Sequence, residues 1–471
     1  VLERVALEGV SQQRLEAVLH QLELHQREVT GDGYPFGLQL ILQALGCATH
    51  YSDPIAVLNL EPVIVELQQK IQDPNYIRQL ARRLLLDNPH RVTLVMTPDT
   101  ELSAHRLAQE TARLADIKAA MSDAQRSATV QLAADLSARQ AQVDDDSILP
   151  KVELSDVPAT LPEPTFTKTE LHGMPFTTYG QGTNGIVYQQ GTAPLPALSE
   201  EQLQILPLYT NILTDVGLGD QSYMEVQERQ AATVGSIAGF VSMRGHADDE
   251  QRVSANFTLS SKALLRNARD QAQLMSDTLH RVKFSETSRI RDLVNQQRAR
   301  RDQSITGSGH SLAMAAASAG MSPLANMHHH QSGLAGIRQL RILDDSLADD
   351  TRLEAFALEV QKLHETLIST PMQFLVIAED HKVTDVARDI STLWSQVSTG
   401  EDRPRFQMTP IREQRGEIWL TNTQVNFCAR AYPTVTEQHP DAAALTVLGG
   451  FLRNGFLHRA IREQGGAYGG G

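Results

Sequence analysis

At 471 residues the chain exceeds what one hydrophobic core usually organises, and its 41% apolar and 21% charged residues are ordinary globular usage, so two to four folded domains are expected. A formal net charge of −14 excludes the basic footprint of a nucleic-acid binder and suits basic partners. The two cysteines, Cys47 and Cys428, are too far apart for a zinc ribbon or a disulfide framework, and no apolar run reaches the roughly eighteen residues of a membrane helix.

The chain starts at Val1 in a helical pattern with no signal peptide and ends on glycines, which reads as a fragment of a longer protein. Leu15, Val18, Leu19 and Leu22 recur at helical spacing between Leu2 and Glu28, and the turn "GDGYP" (31–35) leads to a second helix from Phe36 to about Leu45. After Asp53-Pro54 a helical run continues to Leu86. "RVTLVMTP" (91–98), β-branched and bounded by Pro89 and Pro98, reads as a buried strand. From Glu101 to Gln142 there is neither Gly nor Pro, which suits a pair of long helices. The polar, proline-spaced stretch from Gln142 to Phe166 then reads as extended linker, with the main boundary near Pro164.

"TFTKTEL", "PFTTYG" and "GIVYQQ" follow as three strands separated by glycine turns, as in an antiparallel meander. Helices are expected at Ser199–Asp215, Lys262–His280, Thr287–Arg301, Thr351–Thr370 and Val383–Val397. Strands are expected at Thr233–Met243, Val253–Leu259 and "MQFLVIAE" (372–379). A further unit begins near Arg403, where strands "GEIWLTN" (416–422) and "VNFCARAY" (425–432) feed a helix from Asp441 to Gln464. The order is α+β. "GIVYQQ", a helix, "SYMEVQERQAATVGS" and a strand share element order with "VNFCARAY", a helix and "GFLHRAIREQGGAYGGG"; aligning Arg229 on Arg462 sets Gly235 against Tyr468.

Two histidine groups invite a metal reading. His20 and His25 are five apart, about 140° around a helix, so they cannot share one ion as residues four apart can, and a structural face is expected. His328, His329 and His330 point different ways on a helix and are also read as structural. No G-x-S-x-G elbow is present, and "QGTNG" and "GSGHS" lack the Lys and spacing of a phosphate loop.

"LHRAIREQGGAYGGG" offers two readings. Arg459 and Arg462 suit the negative end of a helix dipole, with Gly465 as the left-handed stop. That leaves Tyr468 unexplained. A phenol among glycines beside the Arg462 guanidinium supplies two donors near open backbone, which is equipment for stabilising a carbonyl oxygen as charge develops on it. The residues alone leave both readings open.

This ending resembles the C-terminal half of the pitrilysin-type (insulinase-like) zinc metallopeptidases, in the presequence protease branch. "REVTGDGYPFGLQLILQAL", "DNPHRVTLVMTPD", "YMEVQERQAATVGSI" and "HQSGLAGIRQL" resemble the same branch in the same order. The resemblance implies tandem related α+β domains, with antiparallel-rich sheets flanked by helices and a long helical hairpin joining the preceding half. Residues 1–100 would end the second domain, 101–163 form the hairpin and linker, 164–402 the third domain, and 403–471 a truncated fourth.

It also implies zinc in the full-length enzyme. The family's inverted motif H-x-x-E-H occurs nowhere in this sequence, so metal ligands and catalytic base are expected before Val1, on an N-terminal half that would be this chain's partner. Carried over residue by residue, Tyr468 and Arg462 match the family's Tyr and Arg that reach the substrate, and Gly466 and Gly469 would give the turn and room for an unfolded peptide. His458 matches no ligand. The expectation is a peptide-degrading chamber, with this chain inactive alone and no nucleic acid or membrane insertion. The alternatives are a noncatalytic peptide-binding or scaffold subunit of the same fold, and an unrelated α+β binding module.

Overall fold

The computed structural model describes residues 1–30, 33–142, 145–395, 404–423 and 425–470. Gly31 and Asp32 of the expected turn, residues 143–144 of the expected linker, Val397 and the expected domain start near Arg403 lie outside them. Two compact units are present: one comprises essentially residues 3–79 with 164–471, the other residues 80–163.

The N-terminal part of the first unit is helical: α1 (Leu2–Glu8), α2 (Gln12–Arg27), α3 (Phe36–Thr49), α4 (Glu61–Lys70) and α5 (Tyr76–Leu80). Pro62 sits in the first turn of α4, where its missing N–H is no loss.

The second unit holds α6 (Leu102–Ala120) and α7 (Asp123–Ala141), the expected pair of long helices. Ser122 starts α7 with a capping box: its hydroxyl accepts the Gln125 N–H while the Gln125 side chain returns to the Ser122 N–H. The buried strand expected at 91–98 does not form. Val92, Leu94, Val95 and Met96 are exposed, with no ladder beside them among the described residues. β-branched content favours a pleated, half-buried surface only where a neighbouring strand supplies that surface.

The centre of the first unit is one six-stranded sheet of β1 (Thr167–Leu171), β2 (Met174–Gly180), β3 (Ile186–Pro194), β4 (Ser236–Gly245), β5 (Val253–Leu264) and β6 (Gln373–Ala378), in the order β1-β2-β6-β3-β5-β4. His172 and Gly173, both at positive φ, form the two-residue loop of the β1–β2 hairpin. The meander ends there. β6 enters between β2 and β3, parallel to the first and antiparallel to the second. Its run "FLVI" is apolar on both sides, which suits an interior strand. The other ladders, β3–β5 and β4–β5, are antiparallel, so the α+β, antiparallel-rich expectation holds for this sheet.

Helices α8 (Glu200–Ile212), α9 (Tyr223–Thr233), α10 (Ala268–His280), α11 (Thr287–Gly307), α12 (Gly309–Ser318), α13 (Pro323–Gln331), α14 (Leu334–Ser346), α15 (Asp350–Ile368) and α16 (Val383–Trp394) complete it. The helix expected from Lys262 starts only at Ala268, because Lys262–Leu264 still pair with β3. Phe176, Val187, Phe257, Leu259, Phe374 and Val376 from the strands meet Tyr209, Met275, Phe356 and Trp394 from the helices in one buried core. The Phe374 and Trp394 rings lie 4.7 Å apart.

The strands expected at 416–422 and 425–432 are absent: the described residues there carry no ladder, and Ile418 and Leu420 are 92% and 95% exposed. The segment lies instead along the α12–α13 region, where Glu413 N–H donates to the Gly320 carbonyl and Arg415 to Asn326. The expected helix follows as α17 (Ala442–Leu452), which continues as a wider π-type turn through Arg453–Gln464.

Candidate functional site

The expected site lies where that turn ends. α17 is built from "AAALTVLGGFL", strongly helix-forming at its start, and the Gly449-Gly450 pair precedes the widened turn. Gly465 remains right-handed, so it is not the left-handed stop; Gly466 is, at φ 69. The reason is local. The Ala467 N–H donates to the Ile461 carbonyl at 3.1 Å, and reversing the chain in one residue to reach it requires a positive φ, open to glycine at little cost.

Arg462 is exposed in the last turn of this element, and Tyr468 is 93% exposed just beyond it. Among the described residues neither side chain has a hydrogen-bonded partner, and the structure joins the two by no hydrogen bond. Nothing lies within 4 Å of the space a side chain would take at Gly466 or Gly469, whereas Gly470 packs against Ile461. His458 pairs with Glu463 at 3.3 Å. The result is a guanidinium and a phenol, both donors, flanking unobstructed backbone: chemistry for holding an oxygen-rich chain.

The other two histidine groups are each split by burial. His20 is buried and His25 exposed on α2; His329 is buried while His328 and His330 are not on α13. Among the described residues no group of three or more His, Cys, Asp or Glu side chains is disposed to hold a metal ion. The described residues therefore do not fit a zinc site.

A cavity of about 580 Å³ has no counterpart in the sequence reading. One wall is a face of α12 with Gly309, Leu312 and Ala316; the other comes from residues 415–421, Thr423 and 425–429. Glu417 accepts the Trp419 indole N–H at 2.7 Å and approaches His329 Nε2 at 3.6 Å. Burial holds His329 below the ordinary imidazole pKa, and the Glu417 charge opposes that shift. The alternation of Glu417 and Trp419 is the available signal, but alternation by itself reads as a strand.

Residues 96–343, more than half of the chain, match the family described as peptidase M16, subfamily C, associated. The chain belongs to this family. The family match stops before Arg462 and Tyr468, but similarity to individual relatives runs further. The mitochondrial presequence protease of Danio rerio is 25% identical over 497 residues, covering 100% of this chain and 48% of its own length. Presequence protease 1, chloroplastic/mitochondrial, of Arabidopsis thaliana is 25% identical over 482 residues, covering 100% of this chain and 44% of its own. The chain thus spans about half the length of the curated relatives it matches, and that half is the C-terminal one. The periplasmic protease PqqL from Escherichia coli aligns over 87% of this chain and 41% of its own at 12% identity and a TM-score of 0.32. Among the described residues no helix is long and apolar enough to cross a membrane.

Proposed function

We propose that this chain is the non-zinc-binding half of a zinc metalloendopeptidase that degrades unfolded peptides within a closed chamber. The observation that carries the reading is full-length similarity to the C-terminal half of presequence proteases. The donor pair at its glycine-rich end supports it.

In this reading Tyr468 donates its phenolic hydrogen to the carbonyl oxygen of the scissile or adjacent peptide bond. The donation strengthens as that oxygen gains charge. Arg462 holds the phenol in place or binds the neighbouring peptide carbonyl. Gly466 turns the chain, and Gly466 and Gly469 leave the peptide backbone room to approach. Zinc and its ligands belong to the partner half.

The test mixes the chain with a separately produced N-terminal half and zinc, and follows cleavage of a quenched fluorogenic peptide. The proposal expects cleavage only in the mixture. Cleavage by this chain alone, or none in a mixture whose association has been demonstrated, contradicts it.

A further inference from the structure

Helix α2 lies far from the sheet in sequence yet is fastened to it at several points. Leu24, 3% exposed, fills an apolar socket made by Ile186, Leu264 and the body of Tyr188. Gly235 keeps the socket open: a Cβ there would stand 2.5 Å from the Leu24 methyls. One turn earlier the Gln21 amide donates to the Ala231 and Val234 carbonyls, both at 2.7 Å, satisfying acceptors at the end of α9.

Around this plug is a ring of charge. Arg266 grips the Glu23 carboxylate with two hydrogen bonds of 2.9 and 2.7 Å, and Arg27 adds a third at 3.1 Å. Lys262 holds both oxygens of Glu28 at 2.6 and 2.7 Å, with the Tyr188 hydroxyl at 3.4 Å from the same carboxylate. Arg14 pairs with Glu228 at the other end of the helix, and the Asn184 amide donates to the Arg27 carbonyl. The Glu23 and Glu28 side chains are largely shielded from water. Fork-to-fork and shielded charge pairs fix register far better than exposed ones.

These contacts belong to an interface rather than to a helix covering its own neighbourhood. Opposite signs face each other across it, with Glu23 and Glu28 at the end of α2 against Lys262 in β5 and Arg266 just after it, and Arg14 of α2 against Glu228 of α9, and an apolar residue occupies its centre. The connection between α2 and β1 is long and includes the polar, proline-spaced residues 145–166, which do not dictate such a register.

We infer that α2 is a noncovalent joint: residues 11–28 are a docking helix that holds the chain before the linker against the sheet-bearing part, independently of the covalent connection. The partner of this surface is a segment of the same chain. The inference rests on these contacts alone and stands or falls separately from the peptidase reading.

The experiment introduces a recognition site for a sequence-specific protease at the exposed residues Val157–Leu161, cuts the folded chain, and follows the pieces by size-exclusion chromatography with light scattering. The cut chain is expected to elute as one species. Leu24→Asp puts a carboxylate in the socket and is expected to release the N-terminal piece. Glu23→Ala with Glu28→Ala leaves the socket intact and is expected to weaken reassociation at least about tenfold. The thermal transition of the sheet-bearing piece, followed by circular dichroism of the cut chain, is expected to fall when Leu24→Asp releases the docking helix, since a bound segment stabilises the part it binds. Separation of the pieces in the unaltered chain overturns the inference, as does their continued association in the Leu24→Asp variant.

Discussion

The sheet-bearing part of the chain and its C-terminal segment carry similar sequence patterns and end in opposite physical states. In β3, β5 and β6 the alternating apolar residues are driven into one core, where Phe257, Phe374 and Trp394 are almost wholly buried. Among the described residues of 416–432 the same kind of alternation produces no ladder and leaves Ile418 and Leu420 facing solvent, followed by a helix with no buried residue and an exposed Tyr468. A strand signal is thus a request for neighbours. Where β5 and β6 supply them the request is met; where no strand lies alongside, a ladder does not form.

The largest expected contrast is in stability. Phe257→Ala, which empties a site enclosed by the Tyr209 ring and the sheet, is expected to destabilise the chain by about 3–5 kcal/mol in urea unfolding. Leu420→Ala should change it by less than about 0.5 kcal/mol. Equal effects would erase the distinction between the two regions.

A pH-dependent difference comes next. His364 Nε2 donates to the Leu279 carbonyl at 2.9 Å, so Nδ1 accepts the Tyr209 hydroxyl at 2.9 Å, and the ring is neutral. Burial lowers its pKa from 6.5 to about 4. The folded state therefore binds fewer protons than the unfolded state between those values. The stability His364 contributes is full above pH 6.5, declines as pH falls through that window, and stops changing below about 4. Urea midpoints for wild type and His364→Gln, measured from pH 7 to 4.5, should converge as pH falls. A constant gap would contradict the assignment.

A smaller effect is expected at Gly466. Replacing it by Ala puts a side chain at positive φ, and about 1 kcal/mol of strain falls on the last turn alone. Hydrogen exchange at Ala467 should quicken while the β5 and β6 amides stay protected. Slowed exchange at Ala467 would show that the left-handed turn is not needed.

The helices are legible because their signals are local: the Ser122 capping box, the Gly- and Pro-free run from Glu101 to Gln142 and the periodic run of α15 each contain what a helix needs. The β1–β2 hairpin is legible for the same reason, through His172-Gly173. The insertion of β6 between β2 and β3 is not, since Phe374–Ala378 are roughly 180–200 residues from their partners and order in a sheet is decided by pairing at a distance. In the candidate site, residue types single out Arg462 and Tyr468 as donors but leave the helix-end reading open, and only the resemblance gives them a role toward substrate. The left-handed residue is expected one position early, at Gly465 rather than Gly466, because the turn before it widens to the π type and shifts which carbonyl the chain must reach. The His329, Glu417 and Trp419 contact brings together residues about ninety positions apart, beyond what local pattern can reveal.

The central claim is that the exposed tyrosine at the glycine-rich end serves chemistry rather than packing. Its most direct test is Tyr468→Phe in a protein containing both halves, comparing kcat/KM on a fluorogenic peptide with the urea midpoint. The account predicts a fall of roughly a hundred- to a thousand-fold in activity, on the order of 2.7–4 kcal/mol of lost transition-state stabilisation, with an unchanged midpoint. Activity equal to wild type in the folded variant would contradict it.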